Sequence, residues 1–103
     1  MGTKVEHRAS LGGTLRFLTT SEEAGNDWYE WCIEVDEPKE RLRDIEGVEY
    51  VLHKSFPHPV RYVENRSENF ALEEEGWGEF DIKVTVYFKD GTKLRGNVPL
   101  KLT

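Results

Sequence analysis

One short segment, Leu52–Pro57, places a histidine, a serine and a phenylalanine close together. His53 and Ser55 are two residues apart, so their side chains would share one face of an extended strand. A serine and a histidine can hydrolyse an ester or an amide, but such a site also needs a third group that orients the histidine. Nothing nearby in the sequence supplies that group, and no Gly-x-Ser-x-Gly turn is present. We therefore expect that His53 and Ser55 do not form a catalytic site and that the protein is not an enzyme.

A second segment, Gly76–Phe80, encloses Trp77 between Gly76 and Gly78. Both segments lie where a strand is predicted to meet a loop, because an alternating run ends at the first and another begins at the end of the second. Strands hold such loops in place, and binding residues are concentrated there. The two segments together therefore predict one ligand-binding site.

Short strands must position these segments, and two of the strands have a clear period of two. In Trp28–Asp36 and Phe80–Phe88, every second residue is apolar, which predicts strands with one buried face. Asp90-Gly91 is a hairpin signature, so the chain is expected to return as a strand over Thr92–Leu102.

The other segments have weaker patterns. Gly12-Gly13 interrupts Val5–Thr20, which predicts one strand that is bent or broken at the glycines. Pro38 could open a helical turn within Glu37–Gly47. The remaining expected elements are strands over Val48–His53 and Val60–Val63, the latter at a sheet edge because prolines precede it, a brief pairing segment over Phe70–Leu72, loops over Ser21–Asp27 and Glu64–Asn69, and a turn over Glu73–Gly76.

The fold class follows from the number and spacing of these strands. About seven or eight short strands with frequent turn signals and no long amphipathic helix predict an all-β protein, an immunoglobulin-like antiparallel β-sandwich. Cys32 is the only cysteine, so this sandwich would lack the internal disulfide of antibody domains. With 103 residues, the chain is expected to form a single domain over residues 1–103.

The charge of the chain favours some partners over others. The formal net charge is −6, from 20 acidic and 14 basic residues. An acidic surface repels phosphate, so we expect a protein or peptide partner and no direct contact with nucleic acid. A basic peptide would suit this charge, although the charge could also serve only to keep the protein soluble.

Several other classes of function are not expected. No apolar run reaches the roughly 18 to 20 residues that a membrane span needs, and residues 1–10 do not resemble a signal peptide. The single cysteine points to a reducing compartment, and we expect a cytoplasmic protein. His7, His53 and His58 lack the spacing of a metal site, so neither a metal nor another cofactor is expected.

The two segments resemble the motifs of the YEATS domains, a family best known for reading acylated lysine. The resemblance covers about residues 27–102, and its most specific parts are Leu-His-x-Ser-Phe at 52–56 and Gly-Trp-Gly-x-Phe at 76–80. The short chain and the motif spacing are similar to the prokaryotic branch of the family. The resemblance implies an immunoglobulin-type sandwich with a pocket at one end for an acyl-lysine side chain.

The resemblance also implies a role for each site residue. The rings of Phe56 and Trp77 would sandwich the flat, neutral acyl amide, with Ser55 hydrogen-bonded to it. His53 would brace the pocket, the backbone N–H of Trp77 would donate to the acyl carbonyl, and Gly76 and Gly78 would allow the ligand to approach the backbone. Family members often carry an aromatic residue shortly before the Asp-Trp pair, where this chain has Ala24-Gly25-Asn26, which implies a pocket with one wall missing.

Simpler interpretations of these residues stay open. Phe56 could pack at a strand end, Ser55 could cap a loop, Trp77 could cover the end of the sandwich, and the two glycines could form a tight turn. Glu73-Glu74-Glu75 and Glu79 could attract a lysine-rich peptide or could be an ordinary solvated loop. The alternative function is a structural or protein–protein interaction domain whose pocket is closed or unused and whose partners bind the sheet edges.

Overall fold

The structure, a computed structural model, describes residues 3–103. Over this range the chain forms eight strands and two short helical turns. The strands are β1 (Val5–Leu11), β2 (Leu15–Gly25), β3 (Trp28–Val35), β4 (Ile45–Val51), β5 (Val60–Val63), β6 (Leu72–Gly76), β7 (Phe80–Phe88) and β8 (Lys93–Leu100). A single α-helical turn, α1 (Lys39–Leu42), precedes β4, and a 3-10 turn over Arg66–Glu68 follows β5.

The strands form two four-stranded sheets in which all paired strands are antiparallel. The first sheet has the order β1-β2-β3-β6 and the second has the order β5-β4-β7-β8. The apolar residues of the alternating runs face each other between the sheets. The predicted all-β sandwich is therefore confirmed.

An aromatic pair and a hydrogen bond are among the core contacts that join the two sheets. Phe17 on β2 and Tyr50 on β4 are both fully buried, and their rings meet edge to face with centroids 6.3 Å apart. The hydroxyl of Tyr50 donates a hydrogen bond of 2.8 Å to the carbonyl of Phe70. Phe70 has a φ of +56°, a backbone conformation that is rare for a bulky residue, so this hydrogen bond holds a turn that Phe70 would not adopt readily.

The strands with the clearest alternation are confirmed. In β3 the residues Trp31, Ile33 and Val35 are buried, as predicted, and β7 pairs with β8 through the expected hairpin. The edge position of β5 is also confirmed, because it pairs only with β4 within its sheet.

The prediction for the N-terminal region was wrong in two respects. Gly12 and Gly13, with φ values of +59° and +70°, form the turn of a hairpin between two separate strands, and do not bend a single strand. The predicted loop Ser21–Asp27 is largely strand, because β2 continues to Gly25 and pairs with β3. The turn between them is confined to Asn26 and Asp27, both with positive φ.

Other element boundaries also differ from the predictions, and of the pairing segment predicted over Phe70–Leu72 only Leu72 belongs to a strand. The predicted turn Glu73–Gly76 belongs to strand β6, which hydrogen-bonds to β3 along its length. The strand predicted over Val48–His53 begins earlier, at Ile45, and ends at Val51. His53 therefore lies in the loop after the strand, where its backbone is free to turn.

None of the helices within residues 3–103 is long and apolar enough to cross a membrane.

Candidate functional site

A cleft of about 530 Å³ opens at one end of the sandwich. It lies between the loop that joins β4 to β5, residues 52–59, and the loop that joins β6 to β7, residues 77–79. All six residues singled out in the sequence line it. The complete lining is Trp28, His53, Ser55, Phe56, Pro57, Glu74, Glu75, Gly76, Trp77, Gly78, Glu79 and Phe80.

The 52–59 loop is closed at its neck and braced inside. The backbone N–H of Leu52 donates to the carbonyl of Pro59 at 2.8 Å, which joins the two ends of the loop. The N–H of Phe56 donates to the carbonyl of His53 at 3.0 Å. These bonds fix the position from which the Phe56 side chain enters the cleft.

His53 and Ser55 form a local hydrogen-bonded unit. Nδ1 of His53 lies 2.9 Å from Oγ of Ser55 and accepts the backbone N–H of Ser55 at 3.1 Å. Nδ1 must therefore carry a lone pair, which places the proton of the neutral ring on Nε2. The side chain of His53 thus caps the backbone N–H of Ser55, two residues further along the loop.

Two aromatic rings, Phe56 and Phe80, line the cleft, and the buried ring of Trp31 packs against both of them. Phe56 is partly buried against Trp31 and Phe80, with ring centroids 6.2 Å and 5.6 Å away, and Trp31 meets Phe80 at 6.0 Å. The His53 ring lies 6.1 Å from Phe80. Because the rings support one another, Phe56 is held in a fixed orientation by its neighbours.

Trp77 differs from Phe56 in its exposure. Its side chain is 74% exposed, although it lines the same cleft. The glycines on either side are not required by the fold. A β-carbon on Gly76 would make an ordinary contact with Phe56, one on Gly78 would meet nothing within 4 Å, and neither residue has a positive φ.

Sequence reasoning missed one wall of the cleft. Trp28, the first residue of β3, lines the cleft and is 40% exposed, whereas Ala24, Gly25 and Asn26 are not among its lining residues. The pairing of Tyr29 with Gly76 places Trp28 beside the start of the 77–79 loop. The position of Trp28 in the sequence, a tryptophan at the start of a predicted strand, is the signal that could have indicated this wall of the cleft.

The three carboxylates of the cleft differ in their surroundings. Glu74 is half-buried and forms an ion pair of 2.7 Å with Arg61. Glu79 is exposed and accepts the backbone N–H of Leu102 at 2.7 Å, while Glu75 is exposed on the outer face of β6. The carboxylate that is least accessible to solvent is thus the one that has a cationic partner.

Other reactive groups lie outside the cleft. Burial, together with the charges of Glu34 and Glu73, raises the pKa of the Cys32 thiol to about 11, so Cys32 stays protonated near neutral pH. Within residues 3–103, no group of three His, Cys, Asp or Glu side chains is arranged to hold a metal ion.

Comparison with known proteins identifies related sequences. The sequence profile of the prokaryotic YEATS domain matches residues 29–101. The Protein AF-9 homolog of Kluyveromyces lactis is 40% identical over 62 residues, which cover 58% of this chain and 27% of that protein. The Protein AF-9 homolog of Candida albicans is 31% identical over 88 residues, which cover 85% of this chain and 34% of that protein. The chain thus spans about a third or less of these relatives.

Comparison of the folds gives similar solved structures. The Yaf9 YEATS domain bound to H3K27ac matches with a TM-score of 0.74 and 27% identity, covering 100% of this chain and 77% of that one. The Yaf9 YEATS domain recognising an H3K122suc peptide matches with a TM-score of 0.71 and 28% identity, covering 99% and 77%. Yeast Yaf9 in another crystal structure has a TM-score of 0.75 and 28% identity, covering 99% and 71%.

Proposed function

Because this chain belongs to the prokaryotic YEATS domain family, we propose that it is a non-enzymatic binding module for an acylated lysine or a similar flat, neutral amide. The observation that carries the proposal is the convergence of His53, Ser55, Phe56, Gly76, Trp77 and Gly78 on one cleft. A structural relative with the same fold has been solved bound to an acetylated histone peptide, H3K27ac.

The aromatic walls suit a flat amide. An acyl amide between Phe56 and Trp77 would gain about 0.5 to 1.5 kcal/mol from each aromatic contact beyond the burial of its area. The fixed Phe56 ring would act as a preformed surface. The exposed Trp77 would close over the ligand and lose its contact with water.

The polar groups suit the same ligand. A buried amide without hydrogen-bond partners costs about 1 to 3 kcal/mol, so its N–H and its carbonyl must both be met. Because Nδ1 of His53 has a lone pair, the Ser55 hydroxyl can donate to it and keep its own lone pairs for the amide N–H. The backbone N–H of Trp77 would then donate to the acyl carbonyl.

The His53–Ser55 contact favours binding over hydrolysis. Nδ1 is shared between the hydroxyl and the backbone N–H of Ser55. Nδ1 can accept a hydrogen bond from the hydroxyl, but because its one lone pair also accepts the backbone N–H, it is less able to remove the hydroxyl proton completely, as a general base must. Among residues 3–103, no carboxylate is hydrogen-bonded to His53 to orient it.

A titration tests the proposal. Acetyl-lysine and crotonyl-lysine peptides, and the same peptides unmodified, are added to the ¹⁵N-labelled protein, and the Trp77 indole and Ser55 amide signals are followed. We expect the acylated peptides to shift both signals and the unmodified peptides to leave them almost unchanged. No shift at millimolar acylated peptide would contradict the proposal.

A second candidate function is protein–protein interaction through a sheet edge. Val60 and Tyr62 on the edge strand β5 are 57% and 47% exposed, which is unusual for residues of this size. A partner could bind this strand whether or not the cleft is used. Tyr62→Ala would then abolish partner binding, whereas Trp77→Ala would leave it unchanged.

A further inference from the structure

We propose that Arg61 determines the selectivity of the cleft, because it neutralises Glu74 and so favours a neutral acylated side chain over the ammonium group of unmodified lysine. This inference rests on the proposed function, since it concerns what the same cleft selects. It assigns a role to a residue that does not line the cleft.

Arg61 joins the two sides of the cleft. Its guanidinium donates to the carboxylate of Glu74 on β6 at 2.7 Å and to the carbonyl of Pro57 in the 52–59 loop at 2.9 Å. A third hydrogen bond, from Nε, reaches the carbonyl of His58. A planar guanidinium can satisfy these three acceptors together, which an ammonium group at the end of a lysine could not do with the same geometry.

The Arg61–Glu74 ion pair is largely shielded from water, in surroundings where charges interact more strongly than at an exposed surface. The side chains of Arg61 and Glu74 are only 22% and 24% exposed, so water screens this pair less than it screens an exposed one. Glu74 points to the inner side of β6, towards the cleft, whereas Glu73 and Glu75 point outwards. An unpaired Glu74 would therefore place a poorly screened negative charge beside the ligand.

An unpaired negative charge on Glu74 would change the preference of the cleft between unmodified and acylated lysine. A lysine ammonium near an unpaired, half-buried carboxylate gains on the order of a tenfold increase in affinity even when the attraction is partly screened. The aromatic rings of Phe56 and Trp77 would add to it, because ring faces attract cations. With Glu74 neutralised by Arg61, the rings offset only part of the loss of ammonium hydration, and the neutral amide is preferred.

The test compares acetyl-lysine and unmodified lysine peptides of one sequence by isothermal titration calorimetry. We expect Arg61→Gln to raise the affinity for the unmodified peptide about tenfold and so to reduce the selectivity by that factor. Glu74→Gln leaves Arg61 unpaired and should weaken the unmodified peptide further. The double variant, Arg61→Gln with Glu74→Gln, should return the selectivity close to the wild-type value.

Arg95→Gln is the matched control. It makes the same change in net charge, but Arg95 is exposed on β8, in the other sheet from Glu74. We expect it to change both affinities less than twofold, which separates the local effect of Arg61 from the overall charge. Arg61→Lys should keep the charge and most of the selectivity.

The possible outcomes are distinguishable. If Arg61→Gln weakens both peptides equally and the double variant restores nothing, Arg61 only supports the loop and the inference is overturned. If Arg61→Gln does not fold, the opposite shift expected for Glu74→Gln decides the matter in the same way. If the wild type binds neither peptide, the proposed function fails. The inference about Arg61 is then supported only if Arg61→Gln gains binding of the unmodified peptide, and it is overturned if Arg61→Gln gains none.

Discussion

A β-carbon built on Gly76 would lie 3.6 Å from Cζ of Phe56, so the ring of Phe56 faces Gly76 and leaves room for one methyl group between them. One aromatic wall of the cleft thus lies opposite the end of the strand that leads to the other wall, Trp77. Glycine at position 76 is therefore not explained by the packing of the protein itself.

A substitution at Gly78 tests whether the glycines beside Trp77 are needed for folding or for ligand binding. Its β-carbon would meet nothing within 4 Å and its φ is not positive, so Gly78→Ala should change the free energy of unfolding by no more than about 0.5 kcal/mol. If the acyl group approaches the backbone here, the added methyl should reduce peptide affinity about tenfold. Urea unfolding and calorimetric titration measure the two effects. Unchanged affinity would show that glycine is not needed for the ligand.

The two tryptophans, Trp77 and Trp31, should separate binding from folding. Trp77 is 74% exposed, so Trp77→Ala should leave the free energy of unfolding nearly unchanged while acyl-peptide binding falls below detection. Trp31 is buried beneath Phe56 and Phe80, so Trp31→Ala should cost about 3 to 5 kcal/mol of stability. Large destabilisation by Trp77→Ala would mean that this residue is part of the fold.

Tyr50→Phe should destabilise the protein without affecting the cleft directly. It removes the hydroxyl that donates to the Phe70 carbonyl and leaves that buried acceptor unpaired, at a cost of about 1 to 3 kcal/mol. Tyr62→Phe is the control, because the hydroxyl of Tyr62 lies on an exposed edge strand. Chemical denaturation of both variants measures the difference, and equal stability of the two would refute the role given to the Tyr50 hydroxyl.

Cys32 should be slow to react with alkylating reagents in the folded protein. Its pKa is raised from 9.0 to about 11, so at pH 8 the thiolate fraction is about 100-fold smaller than that of an ordinary cysteine. Iodoacetamide labelling followed by mass spectrometry should therefore be at least about tenfold slower than in the urea-unfolded chain, because the greater nucleophilicity of a thiolate with a higher pKa offsets part of its smaller fraction. Similar rates in the two states would contradict the raised pKa.

The same shift makes a prediction about alkaline stability. Below pH 9 the thiol is protonated in both the folded and the unfolded chain, so Cys32 causes no pH dependence there. Between pH 9 and about pH 11 the unfolded chain loses the proton first, and stability falls. Cys32→Ser should flatten this part of the stability curve, measured against the wild type by urea unfolding at each pH.

Alternation of apolar residues was enough to predict β3 and β7, because their buried faces carry the core. It failed for β6, whose residues Glu73, Glu74 and Glu75 are all acidic. That strand is held by backbone hydrogen bonds to β3, which leave no trace in a hydropathy pattern. The prediction of a loop beginning at Ser21 failed for a similar reason. The hydroxyl of Ser21 is buried and donates to the carbonyl of Leu102, which is distant in the sequence.

The motifs predicted which residues would meet in the cleft but not what surrounds them. His53, Phe56 and Trp77 were brought together by two loops, and the strand pattern had located only the far end of each, at Val60 and at Phe80. The Arg61–Glu74 ion pair joins different sheets, and its two partners are 13 residues apart in the sequence. No local pattern distinguishes such a pair from the other charged residues of a chain with 33% charged residues.

The ion pair between Arg61 and Glu74 also bears on whether the sheets of two molecules can pair edge to edge. β5 and β6 are each the last strand at one edge of a sheet, and an open edge can recruit a strand from another molecule and begin aggregation. Arg61 and Glu74 are inward-pointing charges on these two edges, and charges placed in this way are one means by which edge strands avoid pairing with another molecule. We therefore expect the ion pair that is proposed to set the selectivity of the cleft also to make edge-to-edge pairing with other copies of the chain less favourable.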